Sequence, residues 1–366
     1  MERCSPSIKY LRSVAMTKTG IVADPIYIEH KTGKFHPESP ERLEVLYKML
    51  EDDDISGKFV SISPRKAARE EIELIHKPSY FNRVAATAGK SHSSLDPDTQ
   101  TSEKSFEAAL FAAGGLLLGI DNMIEGKLDN VLALVRPPGH HAEADRGMGF
   151  CLFNNAAIAA LYAIKNHSIK RVLICDWDLH HGNGTQHSFW EDDRVLYFST
   201  HQFPYYPGTG GLREVGGGKG EGFTVNVPLN IGNGDAEYYK IFKKVLEPIA
   251  EEYKPELVIV SAGFDIYFKD PLGGMQVTPQ GFAALAQVLM SIAEKSAGGK
   301  LLITLEGGYH LGGLRDGAKS VINELMGKDS TDPDITKKDI DDAFGRISNE
   351  IIEAAVSVQK NYWKCF

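Results

Sequence analysis

The segment DWDLH spaces Asp176, Asp178 and His180 two residues apart, and extended backbone sends alternate side chains to one side, so the three can point together. A metal can then take two of them. Catalytic zinc usually has three protein ligands drawn from histidine and carboxylate and keeps a further position for water. Asp178 and His180 would meet that requirement with a third group from a neighbouring strand, and Asp265, which closes LVIVSAGFD, is the best candidate. Two carboxylates would balance a dication that still polarises a carbonyl and acidifies water. In PGHH, His140 and His141 follow the rigid turn Pro137, Pro138, Gly139 and offer an imidazole whose ordinary pKa suits proton shuttling near neutral pH. In EGGYH, Gly307 and Gly308 open backbone conformations that let the Tyr309 hydroxyl approach a developing oxyanion. Together these groups point to metal-assisted hydrolysis. Singly each has a plainer reading: DWD as a strand-end cap, HH as a solvated loop pair, and the tyrosine as packing.

Such groups converge only if the elements before them are parallel. Short apolar runs ending in glycine-rich loops alternate with helical periodicity along the chain, which predicts parallel strands with crossover helices. Strands are expected at residues 20–23, 131–135, 171–176, 195–199, 257–261 and 301–305, and helices at 102–123, 154–166, 235–253 and 278–295. In an open parallel sheet, ligand-binding groups collect beyond the C-terminal ends of strands, and all four motifs sit there. With no repeat, low-complexity tract or linker, one domain over residues 20–326 is expected. Residues 1–19 read as an N-terminal extension, with 1–15 a disordered segment or upstream start, and 327–366 as an acidic loop leading to a final helix packed on the domain.

Composition narrows the function. A formal net charge of -9 argues against direct nucleic-acid binding, which needs clustered cations. Cys4, Cys151, Cys175 and Cys365 are far apart with no CxxC pair, so neither a disulfide framework nor a thiolate zinc cluster is expected, and a reducing compartment is. The N-terminus lacks an apolar leader core and no stretch approaches the ~20 uninterrupted apolar residues of a span, so a cytoplasmic chain without membrane association is expected.

At these residues the sequence resembles the zinc-dependent histone deacetylase and acetylpolyamine amidohydrolase superfamily, with class II features, over about residues 20–325. RPPGHHA, GFCLFNNAAIA, DWDLHHGNGTQ, PGTG, NVPL, SAGFD, DPLGG and EGGY occur in the family's order, and HGNG and HPESPERL follow the class II pattern. The resemblance implies a single-domain α/β arginase/deacetylase fold, a mainly parallel eight-stranded sheet between helices. It implies one zinc on Asp178, His180 and Asp265, His140 and His141 as the proton-handling pair, Asp176 behind His140, Asn183 behind His141, and Tyr309 at the oxyanion. It further implies a substrate tunnel walled by Phe150, beside Gly149, and Tyr206, with Leu272 at the mouth where a polyamine-specific branch has Glu. A structural potassium would use Asp176, Ser199 and carbonyls of Asp178, His180 and Thr200; a second cation site would use carbonyls around Phe189, Asp192, Val195 and Phe223.

The implied reaction frees an amine and acetate from acetylated lysine in a peptide or protein, or from a small acetylated amine. Two rivals share the framework: an arginase-like binuclear manganese hydrolase, for which SAGFD offers only one carboxylate, and a catalytically silent acetyl-lysine reader. Spacing leaves open the substrate, the oligomeric state, zinc against ferrous iron, and whether Asp96 or Asp98 grips the substrate backbone.

Overall fold

The structure, a computed structural model, describes residues 17–328 and 350–366. The expectations for residues 1–15 and for an acidic loop over 329–342 lie outside the described residues.

Among the described residues there are ten strands: β1 (Thr19–Val22), β2 (Val60–Ile62), β3 (Ser93–Ser94), β4 (Gln100–Thr101), β5 (Asn130–Ala133), β6 (Val172–Asp176), β7 (Val195–Gln202), β8 (Thr224–Leu229), β9 (Leu257–Ala262) and β10 (Leu301–Leu305). Eight form one sheet in the order β2-β1-β5-β10-β9-β6-β7-β8, and all its pairings are parallel. β3 and β4 make a small antiparallel hairpin. β5, β6, β7, β9 and β10 are buried at every position, because helices cover both faces; their near-continuous aliphatic sequences answer that environment.

Register carries the expected convergence. Asp176 pairs with Ser261, Ser261 with Thr304, and Thr304 with Ala133, so β6, β9, β10 and β5 end level, side by side in the middle of the sheet. Their following loops deliver DWDLH, SAGFD, EGGY and PGHH respectively. No other four adjacent strands would bring those motifs together.

The helices differ from expectation mainly at their ends. Ser105–Ile124, Asn155–Asn166 and Pro279–Ser296 lie within three residues of their expected bounds, and the last two start on side-chain caps from Asn154 and Thr278. The expected helix over 235–253 is interrupted by a π-turn at Phe242–Leu246, just before Pro248, which has no N–H to continue an α-helical ladder. Helix Glu350–Gln359 lies against β8, with Trp363 donating to the Gly222 carbonyl at 3.1 Å.

Ser105–Ile124 is long and apolar enough to cross a membrane by length and composition, but 61% of its apolar window is buried inside the fold. It is packed as a core helix.

Candidate active site

Asp178 Oδ1 and Asp265 Oδ2 each lie 3.2 Å from His180 Nδ1. All three ligand atoms are within 4.8 Å of one another in a buried group. Tetrahedral zinc with bonds of about 2.0–2.1 Å separates its ligand atoms by about 3.3 Å, so the donor set and spacing fit that ion. The charges fit as well: the buried cluster sets two carboxylates against one imidazole. Burial and Asp178 push the Asp265 carboxyl up to about 7, and against burial the two carboxylates raise His180 to about 9. A dication neutralises this imbalance.

Backbone amides hold the carboxylates in place. Leu179 N donates to Asp265 Oδ1 at 2.9 Å, His180 N to Asp178 Oδ1 at 2.9 Å and Gly307 N to Asp178 Oδ2 at 2.8 Å. Gly307 must be glycine, because a Cβ there would stand 2.3 Å from Asp265 Oδ2.

Above this cluster stand the two histidines of the Pro-Pro-Gly turn, ring centroids 4.0 Å apart. His140 Nδ1 faces Asp176 Oδ2 at 3.1 Å, and His141 Nδ1 faces Asn183 Oδ1 at 2.8 Å. Their environments drive them apart. Against burial, Asp178 and Asp176 raise His140 to about 10, whereas burial and the neighbouring His140 and His180 push His141 well below the usual histidine range. A site needing one charged and one neutral imidazole would be arranged this way.

Tyr309 completes the rim. Its amide donates to Asp270 Oδ2 at 2.7 Å, its ring lies 5.1 Å from the Arg42 guanidinium carbon, and it meets Phe150 edge to face at 6.0 Å. With Gly149, Phe150, Tyr206, Leu272, His141 and His180 it lines a cavity of about 180 Å³. Phe150 is held at φ 69°, an uncommon backbone for a bulky residue. Asp98 enforces it by accepting from Gly149 N at 3.0 Å, while Thr99 Oγ1 accepts from Phe150 N at 3.2 Å. A Cβ on Gly149 would strike the His141 ring at 2.3 Å.

Every residue expected at the zinc, the histidine pair, the oxyanion and the tunnel is thus brought together. Of the two aspartates Asp96 and Asp98, Asp98 lines the cavity, and Asp96 Oδ1 accepts the amides of Asp98 and Thr99 within its own loop. The potassium residues are less simple. Asp176 and Ser199 are register partners and Thr200 Oγ1 is buried without a partner, but the Ser199 hydroxyl is paired with His201 Nδ1 at 2.9 Å. At the second suggested cation site the carbonyls of Phe189, Asp192 and Phe223 each accept a backbone amide.

Several residues of the site were not anticipated. Glu306, fully buried within LEGGY, accepts from Gly139 N at 2.6 Å, His140 N at 3.2 Å and Ser261 Oγ at 3.2 Å, and burial lifts its carboxyl to about 7. Arg42, in HPESPERL, donates to the carbonyls of Gly308 at 2.7 Å and Glu306 at 2.6 Å. Asp270 and Glu143 also bear on the site. Glu306 forms a second metal-compatible group with His140 and Cys151. Its oxygens accept the Gly139 and His140 amides and the Ser261 hydroxyl, and burial raises the Cys151 thiol well above its usual range.

Fold and site together define a metal-dependent hydrolase of the α/β class. Residues 36–325 match the histone deacetylase domain. A probable deacetylase of Archaeoglobus fulgidus is 38% identical over 95% of this chain and 99% of its own length. The zebrafish polyamine deacetylase HDAC10 is 39% identical over 90% of this chain and 49% of its own length. The crystal structure of the HDA15 HD domain superposes with a TM-score of 0.86 at 37% identity, covering 96% of both chains. The chain belongs to the histone deacetylase family. It spans nearly all of the archaeal relative and 41% to 54% of the longer yeast, plant and vertebrate ones.

Proposed function

We propose that this protein is a zinc-dependent deacetylase that hydrolyses the acetamide of N-acetyl-lysine in peptides or proteins, holding one zinc on Asp178, His180 and Asp265. The observation that carries this reading is the position of that ligand set beneath a narrow cavity walled by Phe150 and Tyr206, a shape suited to an uncharged methylene stem with an amide at its end. When bound, zinc would polarise the amide carbonyl and acidify the attacking water.

The chain's own groups account for the rest of the turnover. His141, its Nδ1 turned to Asn183, takes a proton from the attacking water at Nε2 and returns it to the departing amine. The His140 ring is held beside the reaction centre by Asp176, Nδ1 facing Oδ2 at 3.1 Å. The Tyr309 hydroxyl donates to the carbonyl oxygen as negative charge develops there. Arg42 and Asp270 fix that tyrosine from its ring and its amide. A potassium near Asp176 and Ser199 is part of the proposal; the buried Asp176 carboxylate and the unpartnered Thr200 hydroxyl support it.

A small acetylated amine is the second reading, favoured by the likeness to HDAC10. Against it, Leu272 gives the mouth an apolar side chain where a polyamine-specific relative would have Glu. Initial rates of acetate release from an acetyl-lysine peptide and from N-acetylputrescine, measured side by side, decide between them. A preference for the peptide is expected; a preference for N-acetylputrescine would overturn the substrate assignment while keeping the chemistry.

A further inference from the structure

Glu143 is a buried carboxylate that the reaction above does not use. It follows the histidine pair in GHHAE, is 8% exposed, and is pinned by its backbone: its amide donates to the Arg146 carbonyl and its carbonyl accepts from His76 Nδ1, each at 2.9 Å. Its Oε1 accepts from Asn183 Nδ2 at 2.6 Å and faces His187 Nδ1 at 2.8 Å. Asn183 and His187 are four residues apart on the helix Asn183–Ser188, so both reach the same carboxylate. Asn183 then presents Oδ1 to His141 Nδ1 at 2.8 Å.

The hydrogen-bonding capacity of each group fixes the sense of this chain. An ionised carboxylate only accepts, so it must receive the NH2 of Asn183, which leaves the amide oxygen for His141. That oxygen only accepts as well, so His141 carries its proton on Nδ1 and keeps the Nε2 lone pair free. An asparagine alone does not specify this. Reversed, it would offer NH2 to His141 and favour the proton on Nε2, where the ring could not act as a base. The other contacts of Asn183 Nδ2, the His141 carbonyl at 3.3 Å and Met148 Sδ at 3.5 Å, are longer and agree in direction.

We propose that Glu143 is a positioning residue that locks the Asn183 amide in one orientation and thereby sets the His141 tautomer. The kinetic part of this inference rests on the deacetylase reading; the tautomer does not. His187, with its side chain 47% exposed, covers the carboxylate from the solvent side.

The test compares the zinc-loaded protein with Glu143→Met, Glu143→Gln, Asn183→Asp and the Asn183→Asp, Glu143→Gln double variant. The readouts are imidazole 15N spectra and turnover of an acetyl-lysine peptide, with the His141 signals assigned by their loss in His141→Asn. Expected for the parent is an Nδ1–H tautomer. Glu143→Met should lose that tautomer and drop kcat by roughly 10–100-fold with KM nearly unchanged, while Glu143→Gln, whose amide can turn either its oxygen or its NH2 to Asn183, should fall between the parent and Glu143→Met. Asn183→Asp sets two carboxylates against each other; adding Glu143→Gln supplies an NH2 and should restore activity above the single variant. A parental tautomer and kcat in Glu143→Met overturns the proposal. Should that variant not fold, a double variant no better than Asn183→Asp overturns it equally. A parent that releases no acetate refutes the deacetylase reading, and the spectra still decide the role of Glu143.

Discussion

The amide of Gly307 donates to Asp178 Oδ2 at 2.8 Å, and a Cβ on the same residue would lie 2.7 Å from that oxygen. The loop after β10 therefore both orients a proposed metal ligand and leaves no space for any residue but glycine. Gly307→Ala should weaken zinc binding by at least about tenfold, measured by competition with a chromogenic chelator. Parental affinity in this variant would mean that the loop does not support the ligand set.

Tyr309 should act on the rate and not on the metal. Tyr309→Phe keeps the ring against Phe150 and Arg42 and removes only the hydroxyl. Zinc content should be unchanged and kcat should fall on the order of 10²–10³-fold; near-normal turnover would remove the tyrosine from the proposed mechanism.

Arg42 ties the buried Glu38 carboxylate to the carbonyls of Gly308 and Glu306. It donates to Glu38 at 3.1 Å as well as to the carbonyls of Gly308 and Glu306, while Arg136 also holds Glu38, at 2.8 Å. Replacing Arg42 with Met leaves Glu38 paired but strips both carbonyls of a charged donor. A loss of roughly 2–5 kcal/mol is expected, read as a lower urea midpoint. An unchanged midpoint would show that the carbonyls find other donors.

His76 predicts a pH dependence of stability. Its Nε2 accepts from Asn154 N at 2.9 Å and its Nδ1 faces the Glu143 carbonyl at 2.9 Å, and burial pushes its pKa down to about 4. The unfolded chain takes up this proton first as pH falls, so the contribution present at neutral pH is lost from about 6.5 down to about 4, then levels off. The total is up to about 3 kcal/mol. The stability gap between the parent and His76→Gln should narrow by about that amount over the same range; a pH-independent gap would contradict a neutral buried imidazole.

What the sequence made legible followed from backbone geometry. The parallel alternation of elements was enough to place Asp178, His180, Asp265 and the histidine pair on one rim, because strand register then does the alignment, although β6 ends at Asp176 and residues 178–180 form a bend and not the extended run expected of DWDLH. β8 shows in the sequence only as the motif NVPL, because Pro228 breaks a strand pattern; the proline is tolerated because β8 is an edge strand. The helix Leu311–Leu325 was missed because Gly312 and Gly313 open it, with His310 Nδ1 capping Gly313 N at 2.9 Å. Glu306, Arg42, Asp270 and Glu143 are not legible as part of the site because the partners that tie them to it are mostly backbone amides and carbonyls, with one side-chain amide, distant in sequence. No local pattern says which carboxylate or guanidinium a fold will bury against them.

The most direct test of the central claim is a zinc titration of the metal-free protein followed by acetate release from an acetyl-lysine peptide, with Asp265→Ala alongside. Activity should rise linearly and saturate at one zinc per chain, and Asp265→Ala should neither bind the metal nor gain activity. Acetate release that is indifferent to zinc, that needs two metal ions, or that survives in Asp265→Ala would contradict a single zinc centre on Asp178, His180 and Asp265.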